Sequence, residues 1–512
     1  MLPKDDRSQV IWLGGLSLLA LAVIGALHAP FPFTSDQASF TIGATMMRHG
    51  AVMYVDFWDI KQPGIYLFYL LGGSLFGFTE RGMHVFELIY WLVFAVVLIV
   101  TLRSRFSRGW VVAALPLLTV GTYYAVGGAG AYGQVEALAG FPLYLCLWCG
   151  LAYAESSKPR AFLLVLSGVA AAAVLLLKFL LLPIVVAFWI IALRSFRRSA
   201  MCLDGRALVR AKAFICLGVA IPLIVIVAYF SHANALRELM LTTFVSPLHI
   251  AMRGHAQDPH SLLVIFRWLA LYVSPLAILS IVGAPRWIRS ARNDLPLGLV
   301  SWVVLALVIG ILQTRNWVPY HFVLTIVPLG ILSAYGLDAV ASWVHDQRRL
   351  NPRLAAIVAV LLLGALFYQP LRLLASNVYL LYKYGFARDA AEQRAFFEAV
   401  RPEYRQIRED SAFLDDPSSR PGPIFLVGGS LRYYLTGRKP ATPIFGLPSF
   451  LTDRWQDETA GLKRVRPPYA YISNGYITDI ESGAPEILRF IHRNYRVVRS
   501  DTLGTWYALV DR

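Results

Sequence analysis

Residues 214–230 read FICLGVAIPLIVIVAYF, seventeen positions without a charged side chain. A helix needs about 20 mostly apolar residues to cross a hydrocarbon core of ~30 Å. With its flanks this stretch qualifies. So do residues 161–177 (AFLLVLSGVAAAAVLLL) and, with flanks, 354–367 (LAAIVAVLLLGALF). The rest of the chain has the same cast: 57% of its 512 residues are hydrophobic and 15% are charged. A soluble globular chain carries roughly 25% charged residues. Residues 11–27 could pass for the core of a signal peptide. They lack a small-x-small cleavage site and many more apolar runs follow, so they read as a first span.

Hydropathy predicts about eleven spans, near residues 10–29, 84–102, 110–126, 135–154, 160–176, 179–194, 213–230, 262–283, 296–313, 319–341 and 354–372. The net charge is +16, and its placement explains it. Lys and Arg gather in alternate loops: Arg103, Arg105 and Arg108; Lys158 and Arg160; Arg194 to Lys212; Arg286, Arg289 and Arg292; Arg348, Arg349 and Arg353. That is the positive-inside pattern, which places those loops in the cytoplasm. An odd span count then puts the N-terminus inside and the C-terminus outside, as expected of a multi-pass inner-membrane protein. The charge is topological, and nucleic acid is not an expected partner.

Three outward segments stand out. Residues 30–83 form a long first loop with an amphipathic stretch (37–50) and a short apolar piece (65–78) that is interfacial or re-entrant rather than spanning. Residues 231–260 are polar and His-rich. The tail from about 375 holds more than half of the Asp and Glu. It alternates short patterns: helices at 390–400 and 485–494, strands at 423–427, 469–473, 496–499 and 505–510, and Gly428-Gly429-Ser430 followed by a helix or turn. The expected organisation is a transmembrane domain over 1–374 and an extracytoplasmic α/β domain over 375–512.

Candidate chemistry clusters in the first loop. Asp36 follows span one closely, where partial desolvation sharpens a carboxylate as a base. Ser35 or Asp36 equally suits a helix cap. Tyr54-Val55-Asp56-Phe57-Trp58-Asp59-Ile60-Lys61-Gln62-Pro63-Gly64 packs acids, a base and aromatics into eleven residues. Aromatics are expected at an interface, whereas Lys61 stands where a fixed cation meets a lipid phosphate. Glu136, Lys178, Arg267, Arg315 and His321 are ionisable residues near the outer ends of spans, each costly there and so a functional candidate. Snorkelling explains Lys178 and Arg315 equally well. His249, His255 and His260 read as solvated, and Cys146 and Cys149 as packing residues rather than a metal or redox pair. No phosphate loop, dinucleotide fingerprint or Ser-hydrolase elbow occurs.

These residues resemble a family. An acid after span one, an amphipathic stretch, then YVDFWDIKQPGIYLFYLLGGSLFGFTERGMHVFE (54–87) is similar to the GT-C superfamily of polyprenyl-phosphate-sugar-dependent glycosyltransferases. Within it, the chain resembles the bacterial branch related to protein O-mannosyltransferases and the lipid A aminoarabinose transferase. The matching pieces are Gly50 with Tyr54 and Asp56, Lys61 with Pro63 and Tyr66, Phe76-Gly77, and Arg81. GQVEALAGFPLYL (133–145), RNWVPYHFVLTIVPLGILSAYGL (315–337) and IFLVGGSLRYYLTGRKPATPI (424–444) continue the order. Two positions depart from the pattern. Gln37 stands where the family has a second acid, and the Lys-Pro-Pro segment is Lys-Gln-Pro.

The resemblance implies an inverting sugar transfer from a polyprenyl monophosphate to an envelope glycolipid, polysaccharide or protein. Asp36 would be the general base. Lys61 would hold the donor phosphate, assisted by Arg81, Arg267, Arg315 or His321. Gln37, Asp56, Asp59, Tyr66 and Glu136 would meet the acceptor or the sugar. No metal ligand set is expected, and a divalent cation is compatible with the chemistry without being demanded. A flippase or transporter is the competing class, but paired broken helices in two halves are not evident. A scaffold or sensor would leave the charged first loop without a use.

Overall fold

Long apolar runs become long helices. The computed structural model describes residues 4–156, 158, 160–198, 205–247, 259–289, 294–312, 318–346, 352–385, 388–445 and 454–510. Among the described residues nine helices are long and apolar enough to cross a membrane: Gln9–His28, Glu80–Leu102, Gly109–Val126, Val135–Glu155, Phe179–Arg198, Gly205–His232, His260–Ile288, Asp294–Leu312 and Pro319–Asp346. Each corresponds to an expected span. The expected span at 160–176 is the helix Ala161–Leu177, slightly shorter than the others. The expected span at 354–372 is a pair, Arg353–Leu366 and Tyr368–Lys383, bent by 63°. Pro370 lies just past the break; it cannot donate to the Leu366 carbonyl and its ring crowds that carbonyl. The protein is a multi-span membrane protein.

The chain divides into two compact units, each assembled from separated segments. The first combines Met1–Ala29, His84–Ile226 and His255–Lys383 and holds most of the span helices. Its helices cross closely where side chains are absent. A Cβ on Gly336 would lie 2.0 Å from the Leu279 carbonyl oxygen, and one on Gly168 would lie 2.2 Å from that of Ile215. Lipid tails are as apolar as the helices, so tight backbone packing substitutes for a hydrophobic driving force. Near the Gly336 crossing, Asp338 ties three elements: Oδ1 accepts from Arg108 at 2.6 Å and Oδ2 accepts from Arg286. Cys146 and Cys149 are buried on the helix Gly140–Glu155.

The second unit combines Pro30–Met83, Val227–Gly254 and Tyr384–Arg512. Its sheet has four strands, β1 (Ile424–Val427), β2 (Tyr469–Ser473), β3 (Tyr495–Ser500) and β4 (Gly504–Leu509), in the order β1-β2-β4-β3. β1 and β2 are parallel, joined through the helix Trp455–Val465; β4 runs antiparallel to both neighbours. A buried charge pair lies against the sheet. The buried Arg432 guanidinium stacks 3.8 Å from the Tyr471 ring centroid and donates to Asp410 Oδ2 at 2.6 Å. Pairing offsets the cost of burying this charge.

Candidate active site

The second unit builds its site at the start of the helix Ser35–Arg48. The Thr34 N–H donates to Gln37 Oε1 at 2.6 Å, one half of a capping box. Gln37 is buried in that role. Asp36 sits in the first turn, where the helix dipole favours a carboxylate. It is half-buried and lines an open cleft shared with Asp59, Lys61, Trp58, Gly429 and Ser430.

The Tyr54–Lys61 segment is folded back on itself. Tyr54 has φ +72°, a left-handed backbone that costs a bulky residue on the order of 1 kcal/mol or more. Its N–H donates to the Phe57 carbonyl at 2.6 Å, its hydroxyl donates to the Lys61 carbonyl at 2.7 Å, and its ring stacks on Phe230 at 5.6 Å. Those contacts offset the strain and fix the Lys61 backbone. Asp59 Oδ2 accepts from the buried Tyr66 hydroxyl at 2.7 Å. Trp58 donates from Nε1 to Thr242 at 3.0 Å, and its N–H donates to the Pro443 carbonyl at 2.8 Å. The Lys61 ammonium lies 5.9 Å from the Phe40 ring centroid. Asp56 accepts the Val52 N–H at 2.7 Å and closes an exposed turn.

The tail supplies the far wall. Ile444 pairs with Trp58 in an isolated parallel bridge. The strip carrying it is pinned by Glu458, whose carboxylate accepts from Thr442 Oγ1 at 2.8 Å and from the Ile444 N–H at 3.2 Å. Burial pushes the Glu458 carboxyl up to about 8. Arg454 lies 5.1 Å over the Trp58 ring and donates to Glu238 at 2.6 Å. One cleft therefore gathers two carboxylates and an ammonium group. That set can take a proton from a hydroxyl and steady a phosphate. Among the described residues no group of three or more His, Cys, Asp or Glu side chains stands as a metal cluster.

No protein-family model and no curated protein matches the chain. Solved structures do. ArnT from Cupriavidus metallidurans, bound to undecaprenyl phosphate, is similar with a TM-score of 0.61 at 14% identity over 98% of both chains. The apo state of the same protein gives 0.60 at 15% identity over the same share. The archaeal oligosaccharyltransferase AglB from Archaeoglobus fulgidus, in complex with an inhibitory peptide and a dolichol-phosphate, gives 0.50 at 12% identity. That match covers 97% of this chain and 74% of the other. The chain has the GT-C fold.

The first unit holds a separate charged cluster. Glu136 is buried at the start of the span Val135–Glu155. It accepts from Lys178, and His321 Nε2 lies 3.8 Å away. Lys178 reaches it because the chain leaves helical geometry there, with φ −158° and ψ 105°. Arg81 is exposed in the first turn of the helix Glu80–Leu102, and Arg267 is exposed on the helix Pro259–Trp268. Arg315, His249 and His255 lie outside the described residues; His260 is exposed. Sequence reasoning passed over Ser430 and over Glu80, which accepts from Tyr404 at 3.2 Å and Tyr434 at 2.7 Å. It passed over Glu87 as well, which accepts from Trp91 Nε1 at 3.1 Å and from Tyr123. A carboxylate within an apolar run was the available signal for Glu87.

Proposed function

We propose that the chain is a membrane glycosyltransferase that moves a monosaccharide from a polyprenyl-phosphate carrier to an envelope acceptor. The observation that carries this reading is the cleft joining Asp36, Asp59 and Lys61 in a chain of GT-C fold. Two similar structures hold undecaprenyl phosphate and dolichol-phosphate, which supports a lipid-phosphate donor here. Asp36 takes the proton of the acceptor hydroxyl as that oxygen attacks the anomeric carbon. The bond between that carbon and the phosphate oxygen breaks, and the lipid phosphate leaves with the electron pair. Attack opposite the leaving group inverts the anomeric centre. Lys61 steadies the phosphate charge, and Arg81 is the candidate of the same unit to assist it.

Asp59 holds sugar or acceptor hydroxyls, and the buried Tyr66 hydroxyl orients its carboxylate. Gln37 and Asp56 are engaged in local backbone bonds and contribute by shaping the loop. The alternating basic loops support a cytoplasmic N-terminus and an extracytoplasmic tail in the inner membrane. The acceptor classes consistent with this chemistry are a glycolipid, a polysaccharide or a protein.

The test is release of undecaprenyl phosphate by the purified chain. The donors are undecaprenyl-phosphate-linked mannose, aminoarabinose, galacturonate and arabinose, with an envelope extract as acceptor. At least one donor turns over. A lost charge-assisted bond costs about 1.5–3 kcal/mol, so Lys61→Ala raises the donor KM by ~10-fold or more while Lys61→Arg keeps most donor use. Equal activity of the two variants removes the phosphate contact, and no turnover with any donor removes the reading.

A further inference from the structure

The tail grips the turn that carries Asp36 at several points. Ahead of the helix, the Phe33 N–H donates to the Tyr404 hydroxyl at 2.8 Å. At its first residue, the Ser35 carbonyl accepts from Ser430 Oγ. One turn further, Ser39 Oγ donates to Ser430 Oγ at 2.7 Å. The backbone is close as well: a Cβ on Gly429 would lie 2.7 Å from Ser35 Oγ. Tyr404 and Tyr434 both donate to the buried Glu80, so their hydroxyls are fixed in turn. Ser430 is 1% exposed, and water does not compete for its bonds.

We propose that Ser430 is a positioning residue for the Asp36 carboxylate, acting through the Ser35 carbonyl and the Ser39 hydroxyl. The inference rests on the reading of Asp36 as the base. The first turn of a helix is where backbone groups lack intrahelical partners and the ladder frays. A carboxylate there is only as well placed as the turn beneath it. Displacement of a reacting group by about 1 Å costs on the order of 100-fold in rate. Ser430 bonds the residue before Asp36 and the residue one turn after it, so it restrains the turn on both sides. Lys61 lies on another segment of the cleft wall, and Ser430 makes no bond to it among those described.

The consequence is a kinetic signature. In the full-length chain in lipid vesicles, with an undecaprenyl-phosphate sugar that the unaltered chain uses, Ser430→Ala lowers kcat by ~10- to 100-fold. The donor KM stays within about twofold, because the phosphate contacts are untouched. Ser39→Ala leaves the bond from Ser430 to Ser35 in place and lowers kcat by less. The double variant matches Ser430→Ala alone, because residues acting as one unit are not additive. Ser39→Ala keeps the proposal testable should Ser430→Ala not fold: a kcat loss with unchanged donor KM and unchanged thermal midpoint supports it. An unchanged kcat in both single variants overturns the proposal, as does a parallel change in kcat and donor KM or strict additivity. Asp36→Asn separates the two readings. If Asp36→Asn is inactive while Ser430→Ala has normal kcat, only the positioning role falls. If Asp36→Asn is active, the assignment of the base falls first.

Discussion

Glu458 shows how a residue far from any reaction can govern the cleft. It is 3% exposed and makes its two bonds to the strip that carries Ile444. Its carboxyl stands at about 8 against an ordinary 4.5. The folded chain therefore keeps a proton that the unfolded chain releases. The stability this contributes is complete below about pH 4.5 and is lost as the pH rises through about 8. A tenfold change in proton affinity corresponds to about 1.4 kcal/mol, so the loss is large enough to move a melting transition. Glu458→Gln removes the titration and keeps an acceptor. Thermal midpoints should show the variant gaining on the unaltered chain between pH 5 and pH 8. Parallel pH dependences would mean that the carboxyl is not held neutral.

Residues in the first loop were also the most legible. Asp36, Asp59 and Lys61 lie within twenty-six positions of one another, and local composition sufficed to single them out. Ser430, Gly429 and Ile444 join the same cleft from nearly 400 residues away. No periodicity or spacing records such a contact. Gly428-Gly429-Ser430 reads as the link from a strand to a helix or turn, and the helix Leu431–Thr436 follows it.

At the scale of elements, the period of the apolar residues decided most assignments. Each expected span corresponds to a helix or, at its last position, to a bent pair. The four tail strands fall where alternation placed them, within a residue or two. The helices Pro402–Ser411 and Trp455–Val465 were not anticipated. The first buries only Tyr404 and Ile407 among its large apolar side chains, too few to raise a helical period above its polar background. The packing of the span helices rests on close crossings. Gly336→Leu should force the crossing at Leu279 apart, since an added side chain has backbone within 2.0 Å of its first carbon. Overpacking costs ~1–3 kcal/mol, and the thermal midpoint in detergent should fall by several degrees. Gly364→Leu, on a helix face with nothing within 4 Å of the added carbon, is the control and should hold the midpoint. Equal loss in both variants would show that the crossing does not set stability.

For the molecule as a whole, the compact units do not follow the sequence. The first loop, the segment at 227–254 and the tail belong together, and the candidate base, the candidate phosphate contact and the tail's serine share that unit. Ser430 bonds Ser35 and Ser39 from about 390 residues on, and under the proposed function this gives the tail a part in the chemistry of the first loop. The general base of such a reaction contributes roughly 100- to 10,000-fold. The direct measurement is turnover of an undecaprenyl-phosphate sugar by the purified Asp36→Asn chain beside the unaltered chain, both reconstituted in vesicles and matched for thermal midpoint. The variant should fold and retain less than about 1% of the turnover if Asp36 is the base. Normal turnover by a folded Asp36→Asn chain would contradict that assignment.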